Sequence, residues 1–264
     1  MNLRVLRRLA MNPAPHFNPI IAVVIPTYNQ FEYARIAVES FLANTANGLI
    51  ILVDDGSPKW NPSMWTMFPP NKLIIYRFPK NDKNLTRSWN RGIHLALENH
   101  AQVIIAGNSD LKFPPNWSKG LLEALNEGAG VVGPLTNAPG HRAKQQVGRF
   151  VKGYTVDDSD IKLSEVSALL LKERAGTTEP GPLNGFCLAA LSETWSLGAY
   201  NLENHQFFNP RYKMVRNEDE LMGRWKKLGL SSRIALSSFV FHYRGVTRNP
   251  SGRNAGTGNL RIKE

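Results

Sequence analysis

The sequence predicts an α/β domain built on a mostly parallel sheet with helices on both faces. Three observations carry this prediction. Short, continuous apolar runs recur through the first half of the chain, segments with helical spacing of apolar residues lie between them, and polar, turn-forming residues close the runs. Parallel strands buried on both faces read as unbroken apolar runs, and strands alternating with helices form right-handed βαβ units.

The elements follow in order. Residues 1–19 read as a basic arm rich in proline. Ile20–Pro26 is an apolar run closed by proline, which predicts the first strand. Phe31, Ala34, Val38, Phe41 and Leu42 recur at helical spacing. Leu49–Val53, Lys72–Arg77 and Gln102–Ala106 predict three more strands, and Leu85, Trp89, Ile93 and Leu97 mark a helix face before the last of them. A helix over 115–127 leads to a short strand in Gly130–Gly133. Residues 134–160 read as loop, 157–176 as helix and Gly185–Leu191 as strand. Asn217–Leu230 is an amphipathic helix with an acidic start, which suits the helix dipole. Ser237–Tyr243 predicts the last strand, and the chain beyond Thr247 is rich in Gly, Asn, Arg and Ser.

Composition narrows the function classes. The chain has 264 residues, 42% of them hydrophobic, enough to bury a core. A single cysteine, Cys187, rules out a disulfide framework and argues against a Cys-based zinc site. No apolar run approaches a membrane span, and the N-terminus lacks an apolar signal region, so the expected location is cytoplasmic. The net charge of +11 is unevenly spread. Arg4, Arg7 and Arg8 have no acid near them. Arg244, Arg248, Arg253, Arg261 and Lys263 face only Glu264, so the two ends hold seven of the eleven charges. Such ends are either solvated tails or contacts to a polyanion, nucleic acid or an anionic membrane surface.

In open α/β sheets ligands bind beyond the C-terminal ends of the strands. Asp54 and Asp55 follow the second strand; they make either an Asp-Gly turn with Gly56 or carboxylates that hold a base or ribose. No GxGxxG follows the first strand, which disfavours a dinucleotide-binding enzyme. Asn108, Ser109 and Asp110 follow the fourth strand, where Asp110 is either a turn cap or a ligand to a divalent metal that bridges a diphosphate. Glu218, Asp219 and Glu220 open a helix; they either complement its dipole or supply a general base. His242 lies in an apolar strand as a core residue or a metal ligand. Arg87 and Arg91, one turn apart, are phosphate contacts or solvated side chains.

Together these segments resemble the family 2 glycosyltransferases, which have the GT-A fold, over about Ile20–Thr247. The resemblance rests on VVIPTYNQFEYARIAVESFL, ILVDDGSP, NLTRSWNRGI, AGNSDL, VVGPLTNAPG, NGFCLAAL, NEDELMGR and FHYRGVT, in that order. It implies one Rossmann-like GT-A domain over 20–247, with a nucleotide-binding half (20–133) and an acceptor half (134–247), a basic arm at 1–19 and a basic tail at 248–264. It implies a nucleotide-sugar donor, a UDP-sugar by default, held by Pro26, Thr27, Tyr28, Asp54, Asp55, Arg87, Asn90, Asn108 and Ser109. Mn²⁺ or Mg²⁺ is implied on Asp110 with help from His242. Asp219 is the implied base, with Glu218 and Glu220 in reserve. Two positions depart from the family pattern: Asn108 stands at the first Asp-x-Asp position, and Thr86 stands where glycine is usual.

The implied reaction is inverting transfer to an acceptor hydroxyl on a saccharide or glycoconjugate. Two alternatives use the basic ends: glycosylation of a modified base in DNA or RNA, along Arg244, Arg248 and Arg253, and an inactive GT-A-like module that binds nucleic acid. Peripheral contact with a membrane is a further expectation for those ends. A nucleotidyltransferase is disfavoured, because PTYNQFE after the first strand is not a Gly-rich, basic loop.

Overall fold

The computed structural model describes residues 18–153 and 156–244. The basic residues Arg4, Arg7, Arg8, Arg248, Arg253, Arg261 and Lys263 therefore lie outside the described residues. The apolar runs do form the central strands: β1 (Ile21–Thr27), β2 (Gly48–Asp54) and, later in the chain, the run that ends at Gly107 are buried at every position. Between them come α1 (Phe31–Ala43), β3 (Leu73–Arg77) and α2 (Leu85–Glu98), followed by β4 (Val103–Gly107). β1 pairs in parallel with both β2 and β4, and β3 extends β2 in parallel. Thr27 stands beside Asp54, and Asp54 beside Arg77, so the polar ends of three strands are level.

The second half adds β5 (Leu111–Lys112), α3 (Lys119–Asn126), β6 (Val131–Leu135), α4 (Asp160–Arg174), β7 (Thr178–Pro180), β8 (Cys187–Leu191), α5 (Ser192–Leu197), α6 (Asn217–Lys227), β9 (Ser232–Phe239) and β10 (Phe241–His242). The main sheet has eight strands in the order β3-β2-β1-β4-β8-β6-β9-β7. Its β3-β2-β1-β4 part is wholly parallel. β8 is antiparallel to both β4 and β6, which makes the sheet mixed.

Strand pleating sends alternate residues to two cores. Val24, Ile51 and Val53 join Trp89 and Ile93 of α2 on one face, with Leu163 of α4 and Trp225 of α6. Val23, Ile25, Ile50 and Leu52 meet Phe31 and Phe41 of α1 and Leu121 of α3 on the other. Helices thus cover both faces, as expected. The approach of α2 to β1 is close enough to require glycine at position 92, where an added Cβ would lie 2.1 Å from Val24 Cγ1.

Three sequence expectations change. The 115–127 helix starts only at Lys119, because Asn116 has φ 63°, outside the helical region. The 217–230 helix stops at Lys227, where Gly229 at φ 78° turns the chain and the N–H groups of Gly229 and Leu230 return to Lys226 and Trp225 carbonyls. Residues 237–243 are not one strand. β9 begins earlier, at Ser232, and ends at Phe239, where its pairing with β6 shifts register; Phe241–His242 then pairs with β5 in a separate two-stranded sheet.

Candidate functional site

A cleft of about 740 Å³ opens at the C-terminal ends of β1, β2 and β4. Pro26, Thr27, Tyr28, Asp55, Asn108, Ser109, Asp110, Glu218, Asp219 and His242 all line it, so most of the expected site residues do come together. Five chain regions meet there: the strand ends, residues 81–89 at the start of α2, the segment 138–141 with Asn184–Phe186, the start of α6 with the residues before it, and residues 242–244.

The two adjacent aspartates after β2 have different roles. Asp54 is fully buried and does not line the cleft. Its carboxylate accepts from Ser57 N, from Ser57 Oγ and from Arg77 Nε at 2.9 Å, which closes the turn and ties β3 to it. Asp55 does line the cleft, but its oxygens are also occupied. Oδ1 accepts two N–H groups of Arg87, and Oδ2 accepts Asn81 Nδ2 at 2.7 Å and Asn84 N at 3.4 Å. Gly56, at φ 76°, lets the backbone of Lys80–Asn81 approach; an added Cβ there would lie 2.3 Å from Lys80 C.

Arg87 and Asn90 serve the frame of the cleft and do not line it. Arg87 lies over the Phe78 ring at 4.0 Å while holding Asp55. Asn90 Oδ1 accepts Phe207 N and Phe208 N, and its Nδ2 donates to Phe208 O at 3.0 Å. Thr86 Oγ1 donates to Tyr212 O and receives Asn217 Nδ2 at 3.3 Å, so this hydroxyl ties α2 to the approach to α6. Thr27 Oγ1 is different: it is buried at the cleft without a partner among the described residues.

Asp110 and His242 meet through the pairing of β5 with β10. Leu111 stands opposite His242 in that ladder, and Tyr243 N donates to Asp110 O at 3.0 Å. This places His242 Nε2 3.2 Å from Asp110 Oδ1, with Asn108 Nδ2 3.4 Å from the same ring nitrogen. Asn137 holds the backbone of His242 on both sides, accepting its N–H at 2.8 Å and donating to its carbonyl at 3.1 Å. Phe186 stacks on the imidazole at 5.3 Å between centroids. His242 Nδ1 is buried with no partner among the described residues. Sequence reasoning did not assign a role to Asn137, although the VVGPLTNAPG segment that contains it was legible.

The described residues hold no cluster of three or more His, Cys, Asp or Glu side chains able to bind a metal. Among the described residues, Asp110 and His242 are a pair that could supply two protein ligands to a metal here. The pair fits that use. Two adjacent ligands of an octahedral Mg²⁺-type ion lie about 3 Å apart, and such ions take few protein ligands when a diphosphate and water complete the shell.

The three acids of α6 separate clearly. Glu220 does not line the cleft; it pairs with Arg224 at 2.9 Å, and Arg224 also donates to Phe207 O and Gly198 O. Asp219 is half-exposed and ion-paired with Arg142. Glu218 lines the cleft, and among the described residues its carboxylate has no partner. It lies against Gly185, whose missing side chain gives it room: an added Cβ would sit 3.2 Å from Glu218 Cδ. Arg142, His141 and Lys83 are site residues that sequence reasoning missed, since each lies in a loop with no apolar pattern to mark it; Asn184 opens the NGFCLAAL segment, but sequence reasoning assigned it no role. Buried Cys187 is no nucleophile, since desolvation pushes its thiol far up.

Residues 22–164 match the family model described as Glycosyl transferase family 2. No curated protein matches the chain. Among solved structures, GalNAc-T7 with UDP, GalNAc and Mn²⁺ is similar at TM-score 0.62 and 16% identity, over 86% of this chain and 44% of that one. The mannosyltransferase PcManGT from Pyrobaculum calidifontis, in complex with GDP-Man and Mn²⁺, is similar at TM-score 0.57 and 12% identity, over 90% of this chain and 62% of that one. S. aureus TarS 1-349 is similar at TM-score 0.55 and 13% identity, over 84% and 60%. The chain thus spans less than two thirds of each of these structures. At these identities the likeness is one of fold, and it agrees with the GT-A arrangement expected from the sequence.

Proposed function

The chain belongs to glycosyl transferase family 2, and from that premise we propose that it transfers a sugar from a nucleotide-sugar donor to an acceptor hydroxyl with inversion at the anomeric carbon. The observation that carries this reading is the shared cleft of Asp110 and Glu218: a candidate metal ligand and an unpaired carboxylate face the same space at the ends of β1, β2 and β4.

The nucleoside end of the donor lies at Thr27, Tyr28 and Asp55. Because the Asp55 oxygens are occupied by Arg87, Asn81 and Asn84, its part is to hold the turn, and the unpaired Thr27 Oγ1 and nearby backbone groups read the nucleoside. Asp110 and His242 would hold Mn²⁺ or Mg²⁺, which would supply positive charge against the departing diphosphate. Support for a donor of this class comes from the similar structures, one with UDP and Mn²⁺ and another with GDP-Man and Mn²⁺. A UDP-sugar and a saccharide or glycoconjugate acceptor remain our assignments.

Glu218 is our choice of base. The sequence pattern favours Asp219, but Asp219 is engaged by Arg142 and Glu220 by Arg224, whereas Glu218 lines the cleft with no partner among the described residues. Glu218 takes the acceptor proton as the acceptor oxygen bonds to the anomeric carbon. The bond from that carbon to the diphosphate breaks on the opposite face, so the configuration inverts and no covalent enzyme intermediate forms.

The test is product analysis. The protein is incubated with Mn²⁺ and a panel of nucleotide sugars, with simple saccharides as acceptors. Release of nucleoside diphosphate, lost in Asp110→Asn, is expected. Release of sugar 1-phosphate, the leaving group of nucleotidyl transfer from the same donors, would overturn the reading.

A further inference from the structure

The segment from Pro210 to Arg216 is seven consecutive exposed residues at one mouth of the cleft. It alternates cations with apolar side chains: Arg211, Lys213 and Arg216 between Tyr212, Met214 and Val215. Met214 is 47% exposed and Val215 58%, so two adjacent apolar side chains of the run are open to solvent. No acid interrupts the run.

The segment is held by its backbone, not by its side chains. Thr86 N donates to Lys213 O at 3.1 Å, Thr86 Oγ1 donates to Tyr212 O, and Asn209 accepts the N–H groups of Arg211 and Tyr212. Lys213 has a loose contact to Asp82 at 3.4 Å with both side chains about half exposed. Among the described residues neither Arg211 nor Arg216 has an acidic partner. Arg216 is also fixed at φ 65°, an uncommon conformation for a residue with a side chain. The loop is thus fixed while Arg211 and Arg216 have no acidic partner among the described residues and Lys213 has only its half-exposed contact to Asp82. Met214, Val215 and Arg216 line the cleft together with Lys83 and Arg244, so two cations from other parts of the chain share that space, as do the carboxylates of Asp55, Asp110, Glu218 and Asp219.

An exposed apolar pair set between cations in one run is complementary to an anionic bilayer surface. Apolar side chains enter the acyl boundary while Lys and Arg meet the phosphates. We propose that residues 210–216 dock the mouth of the cleft on an anionic lipid surface, so that the acceptor is taken from that surface. The inference rests on the glycosyl-transfer reading for the identity of the acceptor, but the docking itself is independent of it.

The test is co-sedimentation with vesicles of phosphatidylcholine alone and of phosphatidylcholine with phosphatidylglycerol. Full-length protein is expected to bind the anionic vesicles. The double variant Met214→Asp/Val215→Asp should lose at least tenfold in partitioning, and Arg211→Glu/Lys213→Glu should lose a similar factor, since each cation near the surface contributes roughly fivefold. Lys226→Glu/Lys227→Glu, an equal charge change at the exposed far end of α6, should change partitioning by less than twofold per residue. Melting temperatures near wild type establish that the variants are folded. The proposal is overturned if wild type does not bind, if the 214/215 variant binds like wild type, or if the 226/227 variant loses as much as the 211/213 variant, which would make bulk charge the cause. A thermal shift by UDP with Mn²⁺ is measured in parallel. Vesicle binding without any nucleotide shift would leave docking intact and sink the transferase reading; a nucleotide shift without vesicle binding would do the reverse.

Discussion

Asp110 and His242 lie far apart in sequence, yet Oδ1 of one is 3.2 Å from Nε2 of the other. The two-residue pairing of β5 with β10 makes this contact, and Asn137 fixes the histidine backbone from a third element. The metal assignment depends on this pair. Asp110→Asn keeps the shape of the side chain and removes its charge, so transfer should fall by roughly 10²-fold or more while the fold persists. His242→Ala should raise the Mn²⁺ concentration needed for half-maximal rate and lower the rate less. Initial rates across a Mn²⁺ series, with a chelator control, distinguish these outcomes; full activity in chelator would remove the metal from the mechanism.

The acids of α6 give a three-way comparison. Glu218→Gln should cut turnover by about 10²–10⁴-fold with little change in donor affinity, as expected for loss of a general base. Asp219→Asn should have a smaller effect. Glu220→Gln should act on stability, by about 1–3 kcal/mol, because it breaks a charge-assisted contact to Arg224. Rates and denaturation midpoints for the three variants check this together. A dead Asp219→Asn beside an active Glu218→Gln would restore the sequence-based assignment.

Packing of α2 on β1 is testable at Gly92. Gly92→Ala puts a methyl group 2.1 Å from Val24 Cγ1 and should destabilise by about 1–3 kcal/mol. Gly223→Ala, in α6 with nothing within 4 Å, should be neutral or stabilising by about 0.5–1 kcal/mol. Urea midpoints read both changes. Equal effects at the two sites would show that the α2–β1 contact is looser than described.

One histidine should make stability depend on pH. His94 stacks on His205 at 3.7 Å, and its pKa lies below the ordinary 6.5, chiefly through desolvation. Glu98 opposes that shift, and His205 and Arg91 add to it. With a depressed folded-state pKa, the unfolded chain binds more protons as pH falls below 6.5, so this contribution is present above 6.5 and is lost on acidification. His94→Gln should flatten the decline of melting temperature between about pH 7 and pH 5. An unchanged slope would assign the decline to other groups.

The sequence made the strand ends legible because buried parallel strands are unbroken apolar runs; Ile21–Thr27, Gly48–Asp54 and Val103–Gly107 needed no tertiary information. The motif segments pointed to most of the residues that line the cleft. What could not be read was which side chain of a motif faces it. Asp54 and Asp55 are adjacent, and only the cross-strand position of Arg77 sends Asp54 inward. Glu218, Asp219 and Glu220 look alike in sequence, and only Arg142 and Arg224, brought up by folding, distinguish them. The Ser237–Tyr243 run hid the break at Val240, since Phe239, Val240 and Phe241 are all buried and apolar on both sides of the switch between sheets.

The central claim is that this cleft binds a nucleoside diphosphate through a metal on Asp110. The most direct measurement is the shift in melting temperature of wild type and Asp110→Asn with UDP and with GDP, with and without Mn²⁺. Binding to the folded state alone raises stability by about 2.7 kcal/mol at one hundred times Kd. The account predicts a rise for wild type that requires Mn²⁺ with at least one of the two nucleotides, and none for Asp110→Asn. No shift with either nucleotide at millimolar concentration, or an equal shift in the variant, would contradict it.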